Sequence, residues 1–412
     1  MMSRSGADAP MAPASLPGAG PGGRRGSTLD RVDTWLRGVA FPFWADVGVD
    51  RLGPGFVEHL GPDGFPADVP FKRVRVQARQ IYCFCQAAEL GWRPDAIAIA
   101  QRGVDLLIGS AWQGVNRGWV STLTREGAPL QRRPDLYDIA FVLFALGWWH
   151  KVTGDGRVIP LACQTLDFLA AHMRHPSGRG YQHRLDGEAP HLQNPHMHLT
   201  EAMIVLRDAT QHPRFAEEAD RLVELCLTRF YHEPSATLGE EFDAGWVRDP
   251  APRAALVEPG HHYEWVWLLH SYTGTHRPSS DVESAMRRLF EFAARFGQGA
   301  ASGLVLDAVR ADGSPAQGGH RLWPQAERLK AWLAMAERYG ADCRRPVTQG
   351  VEHIFDHFLD VQPAGTWIDQ RTPTLAPRGD KIPSSSFYHL VLAFAEVLRL
   401  RPLLEDGPGD HR

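Results

Sequence analysis

The stretch Glu258-Pro259-Gly260-His261-His262-Tyr263-Glu264-Trp265 gathers residue types that move protons. Pro and Gly interrupt what precedes, and an aromatic-rich helical run follows to about Tyr272. His261 and Glu264 are three apart, so on a helix they share a face. A histidine beside a carboxylate exchanges protons near neutral pH. Comparable groups recur at other helix starts. Arg79, Tyr137, His198, His261, Glu327 and His389 follow one another at roughly 60-residue intervals. Asn194 and Trp323 stand close to members of this series. Any one of these residues alone reads as a cap or a satisfied core group. One polar group per repeat, in register, is harder to explain by packing, and points to a common pocket.

A periodic scaffold positions this series. Gly55, Gly118, Gly180, Gly239, Gly303 and Gly365 each precede an apolar, strand-like stretch, several of them closed by a turn. Examples are Gly55-Phe56-Val57 closed at Pro62-Asp63-Gly64, and Gly180-Tyr181 closed at Asp186-Gly187. Gly365-Thr366-Trp367 is a looser member. Between these hairpins, apolar residues recur at three and four spacings and predict helices in pairs. The first member of each pair starts near Val74, Asp135, His196, His261, Trp323 or Ser384. The second members start near Pro94, Val158, Pro213, Ser279 and Pro346, and the helix from Leu29 to about Val47 completes the last pair. Six hairpin-linked pairs closing on themselves predict an all-α (α/α)6 barrel with short β-hairpins at one end, spanning residues 27–402. Met1 to Gly26, rich in Gly, Pro and Ala, reads as a disordered tail, and 403–412 as a C-terminal tail.

Composition narrows the function. The chain has 412 residues, 43% hydrophobic and 22% charged, with a net charge of -4, which offers no electrostatic case for nucleic acid or an anionic membrane. No run is apolar and long enough to span a bilayer, and the tail lacks the apolar centre of a secretion signal. A cytoplasmic protein, monomeric or homodimeric, is expected. The five cysteines are scattered, so reduced thiols are expected. Thirteen Trp and nineteen His in a mildly acidic chain suit a carbohydrate site.

Three chemistries compete for the site. A metal centre needs more ligand pairs than His261-x-x-Glu264 supplies, so no metal or other cofactor is expected. A glycosidase could use Glu264 and Glu327 as paired carboxylates, but leaves the in-phase histidines unexplained. Proton transfer at the carbon next to an aldehyde needs a base near neutrality and stabilisation of an enediol. Histidines can serve both that step and ring opening. Arg79, Tyr137, Trp323 and Trp367 would then bind hydroxyls and ring faces. Arg79 has no glycine-rich cradle beside it, which favours a free monosaccharide over a phosphorylated one.

At these residues the chain resembles the N-acylglucosamine 2-epimerase superfamily. The motifs are Gln77-Ala78-Arg79, Asp135 to Phe141, Asn194-Pro195-His196-Met197-His198-Leu199-Thr200-Glu201-Ala202, Pro259 to Trp265, Leu322 to Glu327 and Ser385 to His389. The style of the fourth, sixth and last is most similar to the mannose isomerase branch. The resemblance implies an (α/α)6 barrel and cofactor-free interconversion of D-mannose and D-fructose, with D-lyxose in reach. It implies that His261 and His389 are the acid/base pair. His389 would help open the ring, and His261, oriented by Glu264, would carry the proton between C1 and C2. His198, Arg79 and Glu327 would bind the sugar, with Asn194 in the same motif set. A sugar 2-epimerase is the alternative, and a non-catalytic sugar-binding barrel is the alternative of another class. Nothing in the chain matches the zipper features of nucleotide-regulated members.

Overall fold

The computed structural model describes residues 27–406, except 186, 188–189, 249–254, 275–278 and 317. The N-terminal tail, the end of the chain beyond 406, and Asp186 of the turn at Asp186-Gly187 therefore lie outside the described residues. The helices, in chain order, are α1 (Thr28–Trp35), α2 (Phe41–Asp46), α3 (Val74–Glu89), α4 (Ala96–Leu106), α5 (Leu136–Thr153), α6 (Val158–His172) and α7 (Gln193–Thr210). They continue as α8 (Pro213–Leu225), α9 (Pro259–Thr273), α10 (Ser280–Phe296), α11 (Leu322–Tyr339), α12 (Arg344–Ile354), α13 (Phe387–Arg399) and α14 (Arg401–Asp406). The last of these puts helix into a segment read from the sequence partly as tail. α1, α4, α8 and α12 each run directly into a π-helical turn, as at Leu107–Ala111 and Phe355–Leu359.

Alternate helices form the inner ring. α3 packs on α5, α5 on α7, α7 on α9, α9 on α11 and α11 on α13, and α13 returns to α3. This is the (α/α)6 barrel. Its inner members are buried around most of their circumference. In α5 every residue from Ile139 to Trp149 is buried. A helix apolar on all faces is one surrounded by protein. Outer helices instead bury a single stripe, as α10 does with Val282, Ala285, Met286, Leu289 and Ala293. α1 completes the last pair, and Trp35 packs edge-on against Phe394 of α13 at 5.9 Å.

Short ladders lock the ring at one end. The segment before each inner helix pairs antiparallel with a loop of the next repeat. Phe71–Arg73 pairs with Thr122–Thr124, and His191–Leu192 with Glu241–Phe242. Leu256–Val257 pairs with Val309–Arg310, and His320–Arg321 with Gln370–Arg371. Asp135 and Arg184 make the corresponding single bridge. Ile382–Pro383 pairs with His59–Leu60, closing the circle between the chain's last and first repeats. Hairpins within a repeat exist too, such as Thr122–Thr124 with Pro129–Gln131. The joints between repeats were not legible in the sequence. Two-residue strands carry almost no pattern, and they gain stability only by adding to a neighbour.

The repeated glycines serve this same end. Gly55 has a φ of +72°, and a Cβ there would lie 2.3 Å from Gln77 Oε1. The space is needed because the Gln77 amide accepts from Phe56 N at 2.8 Å and donates to Phe56 O at 2.9 Å. Gln325 makes the same pair of bonds to Val305. His196 Nε2 accepts from Tyr181 N at 2.9 Å, and His262 Nε2 from Leu238 N at 3.3 Å. These side chains tie each loop to its inner helix and so fix the inner helix starts. Among the described residues no helix is long and apolar enough to cross a membrane.

Candidate active site

The inner helices all begin at the laddered end, and their first turns surround a cavity of about 310 Å³. Arg79 (α3), Tyr137 (α5), Asn194 and His198 (α7), His261 and Glu264 (α9), Trp323 (α11) and His389 (α13) line it. The in-register series therefore does meet at one place. Two of the expected residues do not line it. Trp367 lies in a stack of rings, 4.9 Å from Trp44 and 5.8 Å from Phe387, and is 2% exposed. Its place shortly after a repeat glycine is a core position, like those of Phe56, Trp119 and Tyr181, all buried. Glu327 is fully buried behind His389, and its Oε1 lies 2.8 Å from His389 Nδ1. It holds a histidine and does not wall the cavity.

The two outer histidines are held differently. His261 Nδ1 lies 2.9 Å from Glu240 Oε2 and 3.1 Å from Gln193 Nε2. Glu240, not Glu264, orients this ring. Helical spacing puts His261 and Glu264 on one face, but Glu264 runs inward, where its Oε1 is 3.7 Å from His198 Nδ1. Burial opposes a charge on His261, yet the carboxylates of Glu240 and Glu258 outweigh it and raise the imidazole to about 9. For His389 burial wins over Glu327 and lowers the ring to about 4. With Nδ1 engaged in both, Nε2 is the nitrogen left for a ligand. Trp323 stands between the two rings, 5.0 Å from His261 and 5.7 Å from His389.

Deeper in the lining, His198 and Glu264 are held toward their neutral forms, while Arg73, Glu258, Arg321 and Lys381 bring charge to the rest of the wall. Burial drives His198 well below the usual imidazole value, and its Nδ1 faces Glu201 at 3.2 Å. Burial, together with the charge of Glu327, pushes Glu264 well above the usual carboxylate range. Arg79 donates to Tyr137 Oη at 2.7 Å, and its guanidinium lies 4.0 Å over the Phe141 ring. Arg79 Nε, Asn194 Oδ1 and Glu264 Oε1 are buried without a hydrogen-bond partner among the described residues. Buried polar atoms left open in a cavity wall are what a polyhydroxylated ligand would satisfy.

Two groups have metal-like geometry: His198, Glu201 and Glu264, and Glu264, Glu327 and His389. The Lys330 ammonium, however, lies 2.6 Å from Glu327, with both side chains fully buried. It supplies at that point the positive charge that a cation would bring. The sequence reading missed Lys330 and Glu240. A lysine three residues from Glu327 on an otherwise buried helix was a signal for the first. An acid directly after Gly239, where Phe56, Trp119 and Tyr181 follow their glycines, was a signal for the second.

The family model for N-acylglucosamine 2-epimerase matches residues 55–393. A Rhizobium meliloti protein named mannose-6-phosphate isomerase is 33% identical over 380 residues, covering 88% of this chain and 95% of that protein. A D-mannose isomerase of Thermobifida fusca is 28% identical over 381 residues, covering 83% and 90%. Among solved structures, that of a D-mannose isomerase superposes with a TM-score of 0.81 at 21% identity, covering 90% of this chain and 97% of that one. With the fold, the motifs and the match over most of its length in agreement, the chain belongs to the N-acylglucosamine 2-epimerase family and is an enzyme of its sugar isomerase and epimerase type.

Proposed function

We propose that the enzyme interconverts D-mannose and D-fructose through an enediol, with His261 and His389 moving the protons. The observation that carries this is two imidazoles on a single small cavity, each held at Nδ1 by a carboxylate, Glu240 for His261 and Glu327 for His389. A cavity of about 310 Å³ lies at the small end of ligand sites, which suits a monosaccharide.

The charge states give an order of events. Neutral His389 takes the proton from the anomeric hydroxyl as the bond from C1 to the ring oxygen breaks, and His261 gives its proton to that oxygen. Ring opening thus leaves His261 neutral, backed by Glu240, and His389 protonated. His261 then takes the proton from C2, and His389 protonates the C1 oxygen as the C1–C2 double bond forms. The enediol gives its C2 hydroxyl proton to His389 and receives the proton on C1 from His261. Closure of the fructose ring, the reverse of opening, gives the attacking hydroxyl proton to His261 and the His389 proton to the C2 oxygen, so each histidine ends as it began. Arg79, Tyr137, Asn194, His198, Glu264 and Trp323 are proposed to bind the hydroxyls and the sugar face.

Incubation with D-mannose, followed by chromatography, tests the reading directly. Fructose is the expected product. Glucose without any ketose would move the assignment to 2-epimerisation, and no conversion of any free aldose would overturn the free-sugar reading. A second reading, D-mannose 6-phosphate as substrate, has support in the exposed Lys381, which lines the mouth with Arg73 and Arg321. The free sugar is favoured because both arginines already face carboxylates, Arg73 with Glu58 and Arg321 with Glu258. Assaying both sugars side by side decides between them.

The role of Glu240 carries its own test. His261 must be protonated in the resting enzyme, so kcat/KM should fall as pH rises through its value of about 9. Removing the carboxylate charge lowers the imidazole, so Glu240→Gln should move the alkaline limb downward by roughly one unit or more. An alkaline limb that stays put in this variant would remove Glu240 from the proposed mechanism.

A further inference from the structure

The barrel axis beneath the cavity holds three buried carboxylates, Glu201, Glu264 and Glu327. Carboxylates buried this closely cannot all ionise without a compensating charge. Lys330 supplies one, and it is fully buried. Its contact is selective. Nζ lies 2.6 Å from Glu327 Oε2, an ion pair without well-aligned hydrogen bonds. Glu201 has a different partner: Tyr388 Oη donates to its two oxygens at 2.5 and 2.6 Å. The other side of the ammonium is closed by the Trp267 ring, 4.1 Å away. Glu327 uses its remaining oxygen, Oε1, on His389 Nδ1 at 2.8 Å.

We infer that Lys330 is a positioning residue, the internal counter-ion that selects Glu327 as the charged carboxylate and thereby keeps the His389 proton on Nδ1 and its Nε2 open as an acceptor. The chain of contacts is Lys330 to Glu327 to His389, all inside the protein. An ionised Glu327 is a strong acceptor for Nδ1–H and fixes the tautomer. A neutral Glu327 could donate to the ring instead, and the ring could then turn its lone pair away from the cavity. The groups that face this pair are Glu264 and Trp267 from α9, Glu201 and His198 from α7, Tyr388 and His389 from α13, and Arg79 from α3. Lys330 does not line the cavity. Its part in turnover rests on the proposed reading of His389, but its effect on the imidazole does not.

Lys330→Gln keeps a hydrogen-bond donor and removes the charge. Without that charge the Glu327–His389 pair holds a proton more readily, so the acid limb of kcat/KM should move upward by about one unit or more. kcat should fall by about tenfold to a hundredfold, with KM nearly unchanged. Lys330→Arg, which keeps the charge, should return the limb toward its native position. A measurement free of turnover is nitrogen-15 NMR of the His389 imidazole, its signal assigned by comparison with His389→Asn. In Lys330→Gln the Nδ1–H signature of the neutral ring should be lost. If no sugar is converted but that signature is lost, the counter-ion role stands and the proposed reaction falls. If kcat drops while the limb and the Nδ1–H signature stay fixed, Lys330 is a packing residue and the inference is overturned. Should Lys330→Gln not fold, Glu327→Gln/Lys330→Met leaves no lone buried charge. In that variant the Nδ1–H signature of His389 should be lost, and its survival would contradict the assignment.

Discussion

Replacing His261 with asparagine should lower kcat by about a thousandfold or more, because the same imidazole is asked to act both in ring opening and in transfer between C1 and C2, and one positioned acid or base supplies about 10² to 10⁴ on its own. Asparagine keeps a polar side chain near Glu240 and Gln193, so folding and sugar binding should survive. Binding by calorimetry should therefore be retained while turnover is lost. Incorporation of solvent deuterium at C1 and C2 should be lost together with product, since both depend on the C2 proton being removed. A variant that keeps kcat within about threefold would sink the proposed role of His261. A variant that loses ketose formation but still exchanges deuterium would assign the C2 proton to another base, with His389 the first to examine.

Trp367→Ala should cost about 3–5 kcal/mol of folding stability and leave the KM of the folded enzyme unchanged. The ring lies in a stack with Trp44 and Phe387, at interplanar angles of 20° and 16°. Trp44 also donates to Gly365 O at 3.0 Å, so the loop, the first helical segment and the last inner helix meet at this stack. Removing one indole from a well-packed core loses its transfer energy and leaves a cavity that neighbours fill only in part. Denaturant unfolding measures the loss, and KM for the sugar measures any share in binding. A raised KM with normal stability would return Trp367 to the ligand wall where the sequence put it. Trp323→Ala offers the contrast, because Trp323 does line the cavity between the two histidines. There KM should rise by more than stability falls.

Periodicity made the barrel readable before any coordinates. The helix pairs, their order and the closing role of the N-terminal helix follow from apolar spacing and from glycines repeating once per unit, because both signals are local and repeat. The same periodicity gathered Arg79, Tyr137, His198, His261 and His389 on one cavity: groups at equivalent points of equivalent units must meet when the units close a ring. Trp367 shows the limit of that logic, since a residue in register can be in register with the core. What the folded chain alone decided is which side chains pair. Glu240 reaches His261 from the loop that opens its own repeat, and Glu327 turns to His389 in the next repeat and to Lys330, away from the cavity. Helical spacing had joined His261 to Glu264 instead. Charge states follow from such contacts and from burial, both of which depend on residues far apart in the chain. No local pattern carries that information, so the same residue type, histidine, ends in two opposite states at positions 261 and 389.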